Sequence, residues 1–225
     1  MSSRMLVPAA VLALAAAAVA ADTPKPGLYG QISGDVYTAP GGVYSVSIPV
    51  LPEFGGQVHD TETVVTFDDS VNTHASIACF PLDMTQKWEF ETRGIRDYLA
   101  YFFANYVLPD FQARYPGASS EKAVFVPAFL DGSLIAYCLL PGGSAFENRD
   151  SVIGPPAGEL PVAKRGNLLF VRTGYIYVVS IELAERITQR SVFNKTPDQE
   201  NEILRERLLQ LASRIHFPAP KPAPK

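Results

Sequence analysis

Apolar and polar residues alternate with a period of two in several short runs of this chain, and recur with a helical period in two longer ones. In 43–50, Tyr44, Val46, Ile48 and Val50 alternate with Ser45, Ser47 and Pro49. That is the pattern of a half-buried strand, and it predicts a hairpin with 36–38 across Ala39-Pro40-Gly41-Gly42. Residues 62–68 and 74–82 read as two more strands, joined by 69–73. Two later hairpins are predicted, 124–129 with 134–140 around Asp131-Gly132, and 167–172 with 175–183 around Thr173-Gly174. The second strand of each is apolar on both faces, which requires cover above and below and places both at the sheet centre.

The helical runs are distinct from these. Ile95, Tyr98, Leu99, Phe102, Phe103 and Tyr106 fall within a wedge of about 140°, so a helix from Ile95 lies over the sheet. Pro109 is expected to end or kink it near Leu108, with a short extension toward Tyr115. Tyr101 and Leu108 project opposite the stripe and are the candidate partner-binding positions. Thr196 is a natural N-cap, with Pro197 at the first helical position and Gln199 completing a capping box. Leu204, Leu208, Leu211 and Ile215 then form one stripe, and Phe217-Pro218 stops the helix. The sum is an α+β domain over 35–217, with a mainly antiparallel sheet of about 6–8 strands flanked by helices. A polar leader, 22–34, precedes it, a long Gly- and Pro-containing loop, 141–166, interrupts it, and a Pro- and Lys-rich tail, 218–225, follows.

Composition narrows the function classes. The 225 residues carry 19 Lys and Arg against 23 Asp and Glu, a net charge of −4, which argues against a nucleic-acid binder. Residues 1–21 read as a secretory signal: Arg4 is followed by an uncharged Ala-rich run, with Ala18 and Ala20, or Val19 and Ala21, at cleavage spacing. No later segment is long and apolar enough to span a bilayer, so no membrane span is expected after cleavage, and the location is secreted or periplasmic. An oxidising compartment favours a Cys79–Cys138 disulfide over two buried thiols; it would close a loop of about 60 residues, worth about 4 kcal/mol.

The order of elements resembles a known family. The Tyr44-Ser45-Val46-Ser47-Ile48-Pro49 strand after an N-terminal hairpin, the Val65-Thr66-Phe67 strand, a helix over the sheet, and Gly174-Tyr175-Ile176-Tyr177-Val178-Val179 before a terminal helix ending in Phe217 are similar to the Mog1/PsbP-like α/β/α sandwiches, which include exported lipoproteins of the DcrB type. The Trp that many such proteins carry after the Ile48-Pro49 strand is missing, as is the DcrB lipobox. The resemblance implies an accessory or binding module attached to a larger assembly, usually without catalysis and with no fixed catalytic residues; together with export, the expected partner is an envelope or secreted protein, and no cofactor is expected.

Candidate chemistry is sparse. His59, Asp60, Asp68 and His74 are the residues a metal-dependent or nucleophilic hydrolase would use, and Asp68, Asp69 and His74 are the candidate metal ligands. A strand over 62–67 puts the two His at opposite ends, where they share no metal. The acidic turn lacks the Gly and distal Glu of an EF-hand and reads as a turn capped by its own side chains. Gly142-Gly143-Ser144 lacks the second Gly of a nucleophile elbow. A third reading is a small-ligand carrier, with a pocket between the central sheet and the long loop.

Overall fold

The structure, a computed structural model, describes residues 27–146, 161–188 and 193–218. Residues 1–21, expected to be a secretory signal, the tail beyond Pro218 and most of the 141–166 loop lie outside the described residues. Two antiparallel sheets form. The small one runs β1 (Gln31–Ser33), β2 (Val36–Thr38), β3 (Ser45–Ser47) and β11 (Ile215–His216), in that spatial order. The large one contains β4 (Gln57–Asp60), β5 (Val64–Asp68), β6 (His74–Pro81), β7 (Ser119–Val126), β8 (Ser133–Pro141), β9 (Val162–Arg172) and β10 (Tyr175–Glu182), in the order β4-β5-β6-β10-β9-β8-β7. The helices are α1 (Met84–Phe102), α2 (Leu108–Arg114), the single turn α3 (Glu185–Thr188) and α4 (Pro197–Ser213).

The large sheet is covered on both faces. One face packs Phe67, Ile77, Tyr137, Phe170, Tyr177 and Val179 against the small sheet and Leu204, Leu208 and Leu211 of α4. The other packs Leu134, Leu140, Leu169, Ile176 and Val178 against Tyr98, Leu99, Phe102 and Phe111 of α1 and α2. The α+β class and flanking helices are those expected. β10 is central, as its two apolar faces require, while β8 lies one strand in from the β7 edge and is still buried on both sides. Thr173 and Gly174 both take positive φ, as the two-residue turn of the β9–β10 hairpin requires. The Thr196 capping box forms, with Gln199 N donating to Thr196 Oγ1 at 3.3 Å and Thr196 N donating to Gln199 Oε1 at 3.0 Å.

Several expectations are corrected. Gln31–Ser33, expected in the leader, pairs with β2. Val162–Gly166, expected in the loop, is the first part of β9, because its charges are buried in ion pairs and not solvated. Lys164, fully buried, contacts Glu121 at 2.6 Å and Glu200 at 3.1 Å, which pins the start of α4 to the sheet. The helix begins at Met84, capped by the Asp83 carboxylate, and is interrupted at Gly94 (φ 74°) before the predicted stretch. The break expected near Leu108 is a π turn over Phe103–Val107, and the short extension expected toward Tyr115 is α2, where Pro109 occupies the first turn and needs no amide hydrogen bond.

The cysteines are free and buried. Cys79 lies on β6 and faces the α4 side, whereas Cys138 lies on β8 and faces the α1 side. Three strand spacings, about 14 Å, separate β6 from β8, beyond the reach of a disulfide. Burial pushes the Cys79 thiol up to about 11 and the Cys138 thiol up to about 12.

Candidate functional site

Between α1–α2 and the sheet lies a cleft of about 830 Å³. Its floor is set by register. Side chains on adjacent antiparallel strands that pair directly point to the same face, so paired residues form rows across the sheet. Phe80 pairs with Ile176; Val64 pairs with Ala78, which pairs with Val178; Thr66 pairs with Ser76, which pairs with Ser180. These rows, with His74 and Arg165 beyond them, line the cleft. The floor passes from apolar to hydroxyl-bearing to charged over about 20 Å, the length of β6 from Phe80 to His74. The roof is Phe102, Tyr106, Val107, Phe111, Arg114 and Tyr115.

The roof is held in place by specific bonds. Tyr98 OH donates to Gln86 Oε1 at 2.9 Å, and Gln86 Nε2 donates to Tyr106 OH at 3.0 Å. Phe102 and Tyr106 stack at 4.9 Å. Tyr106, expected in the core stripe, is exposed, since the extra residue of a π turn moves the positions in it around the axis. At the charged end, Glu182 is fully buried and pairs with Arg165 at 3.1 Å. The Glu182 carboxylate also accepts the Ser144 hydroxyl at 2.6 Å and the Ala145 amide at 3.1 Å, while Arg165 Nη2 donates to Gly143 O at 3.0 Å. Arg114 pairs with Asp110.

The predicted site residues are only partly brought together. β4 turns back along β5, so that His59 Nε2 lies 3.8 Å from Asp68 Oδ1, and Asp68 pairs in register with His74. His59 and His74 are therefore on the two strands beside the one that carries Asp68, at the same end of the sheet, and the expectation of opposite ends fails because His59 is on a strand of its own. Asp60 is directed elsewhere. It accepts the Tyr29 amide at 3.0 Å, the Gly30 amide at 2.7 Å and the Tyr37 hydroxyl at 2.8 Å, clamping β4 to the N-terminal hairpin. Burial, with the Asp60 hydrogen bond added, raises the Tyr37 phenol far above its usual value. Asp69 Oδ1 accepts the amides of Val71, Asn72 and Thr73 at 2.8, 2.8 and 2.9 Å, a turn cap. Among the described residues, no group of three His, Cys, Asp or Glu side chains is placed to hold a metal ion.

Tyr101 and Leu108 are half-buried against the α1-side core, and Arg93 covers the Tyr101 ring at 4.4 Å from its centroid. The apolar side chains that α1 exposes are Met84 and Trp88, in its first two turns, which the stripe from Ile95 did not include. Sequence reasoning did not identify Ser76, Ser180, Gln86 or Arg165 as cleft residues. For Ser76, Ser180 and Arg165 the only signal is the polar phase of otherwise apolar strands, which acquires meaning once register is known, while Gln86 is marked only by its place three residues after Asp83.

No family model matches the sequence, and no curated protein matches it. Solved structures match in fold. The Saccharomyces cerevisiae Ran-binding protein Mog1p is 12% identical, covering 81% of this chain and 94% of that one, with a TM-score of 0.43. Cyanobacterial PsbP (CyanoP) from Synechocystis sp. PCC 6803 is 13% identical, covering 81% of this chain and 91% of that one, with a TM-score of 0.47. A structure from Bacteroides thetaiotaomicron VPI-5482 is 9% identical over 84% of this chain and 50% of that one, with a TM-score of 0.39. Mog1p and PsbP are the proteins after which the family resembled by the order of elements is named.

Proposed function

We propose that this chain is an exported, non-catalytic binding protein that holds a small organic molecule in the cleft between α1–α2 and the sheet. The observation that carries the reading is the cleft itself. About 830 Å³ with aromatic and aliphatic walls and a few polar groups at one end fits the size and character of small-molecule sites. The side chains of reactive type nearby are engaged in bonds that hold the fold. The Ser144 hydroxyl donates to Glu182, and Asp60 clamps the N-terminal hairpin. Export rests on the Ala-rich 1–21 segment. No helix among the described residues is long and apolar enough to cross a membrane.

Native mass spectrometry of gently purified protein tests the binding reading. A bound small molecule is expected, and Ala78→Trp, which fills the middle of the floor, is expected to displace it. Equal occupancy in the variant would remove the cleft from the account. Mass analysis of the native N-terminus tests export, which fails if Met1 is retained.

A further inference from the structure

The rows of the cleft floor carry the reading one step further, to the chemical class of the ligand. Thr66 and Ser76 line the cleft, and their hydroxyls make no hydrogen bond to any described residue. Ser180, beside them, donates its hydroxyl to Asn167 Oδ1 at 2.7 Å and so presents oxygen lone pairs to the cleft. Three hydroxyl groups thus share one row, next to a row of Val64, Ala78 and Val178. A molecule with an apolar body and a polar head satisfies both only in one direction, with its body along Phe80, Ile176 and Val178 and its head over Thr66, Ser76 and Ser180.

Charge selects the head. Among the described residues, the charged groups and the histidine of the lining are each engaged: Arg165 pairs with Glu182, Arg114 pairs with Asp110, the Asp83 carboxylate caps α1, and the His74 ring packs edge-on to Phe146. An anionic head that took Arg165 would leave the fully buried Glu182 uncompensated. A cationic head finds Glu182 saturated by Arg165, Ser144 and Ala145. An uncharged head that both donates and accepts, a hydroxyl or amide group, meets neither obstacle and has Thr66 and Ser76 as free partners. Building on the cleft reading, we infer that the ligand is an amphiphile with an uncharged, hydroxyl- or amide-bearing head.

Titration calorimetry of the full mature chain with three probes of equal tail length, each below its micelle concentration, tests this. The probes are octyl glucoside, octanoate and octyltrimethylammonium. Octyl glucoside is expected to bind at least about tenfold more tightly than either ion. Thr66→Val and Ser76→Ala, which remove one hydroxyl each without adding bulk, are expected to weaken the glucoside by about tenfold and leave octanoate unchanged. Tighter or equal binding of either ion, or hydroxyl-deletion variants that leave glucoside binding unchanged, would overturn the head assignment while leaving the cleft reading in place. No binding of any probe, or binding that survives Ala78→Trp in a variant with unaltered circular dichroism, would overturn both.

Discussion

The Ser144 hydroxyl donates to the Glu182 carboxylate at 2.6 Å, and this bond ties the segment after β8 to the last residue of β10. Glu182 is fully buried, so its charge depends on Arg165 and on the Ser144 and Ala145 donors. Removing a single partner from such a buried pair leaves the other charge stranded. Glu182→Ala is therefore expected to cost about 3–5 kcal/mol of folding stability. Glu182→Gln keeps an acceptor for Ser144 and is expected to cost less. Urea unfolding of the two variants checks this; a loss below about 1 kcal/mol in Glu182→Ala would mean that the pair contributes little.

The two thiols lead to a chemical prediction. Because Cys79 and Cys138 are free, buried and on opposite faces, a thiol reagent at about pH 8 is expected to label neither in the folded protein and both after unfolding. Reductant should leave the mass unchanged. A mass gain of two hydrogens on reduction would instead show a disulfide. The pH dependence has a definite sign. An unfolded thiol ionises near about 8.5. In the folded chain, burial holds Cys79 to about 11 and Cys138 to about 12. Between those values the unfolded state has lost protons that the folded state retains, so stability falls as pH rises. The double Cys→Ala variant is expected to show a shallower alkaline decline than the parent, measured as the urea midpoint between about pH 8 and pH 11.

Much of this arrangement is legible in the residues themselves. The apolar strand at Tyr175–Glu182 demands a central position, and Thr196 with Gln199 marks the start of α4. The start of α1 was marked too, by Asp83 with Gln86 three residues on, but Met84 and Trp88 point outward and supply no stripe. Lys164 and Arg165 concealed the first part of β9, since two adjacent charges read as loop until their partners, Glu200 and Glu182, are brought in from distant positions. The cleft is the extreme case. Thr66, Ser76 and Ser180 each look like solvent-facing strand positions, and only pairing across three strands puts them in one row beneath a helix.

Asp69 predicts behaviour in acid. Burial alone would raise its carboxyl pKa, but the hydrogen bonds from Thr73, Val71 and Asn72 outweigh burial and hold it below the usual range. Glu185 is held down in the same way, burial being outweighed by the Arg207 guanidinium at 2.5 Å. A carboxyl with a depressed folded pKa stabilises fully above its unfolded value, about 3.9 for Asp, and that stability is lost as pH falls through the folded value. Asp69→Ala is expected to cost about 1–2 kcal/mol at neutral pH through loss of the turn cap. The gap between variant and parent should then narrow as pH falls below about 4. Urea midpoints taken down the pH scale measure this, and a gap that stays constant into acid would contradict the account.

Gly166 lies on β9 beneath α4, paired with Tyr137 on one side and Ile181 on the other. A Cβ there would come within 2.9 Å of Leu208 Cδ1 and 3.2 Å of Leu204 Cβ, and both leucines are fully buried. The end of the Leu208 side chain can swing aside, but the Leu204 Cβ moves only with the helix backbone. Gly166→Ala should thus push α4 away from the sheet, at a cost of about 1–3 kcal/mol. The strain and the leucine share one space, so trimming the leucine should relieve part of the cost. The double variant Gly166→Ala with Leu208→Ala is expected to lose less than the two single losses added together, by about 0.5 kcal/mol or more. Strict additivity in urea unfolding would show that the added methyl group is accommodated without touching α4, and that the close approach at Gly166 does not set the position of the helix.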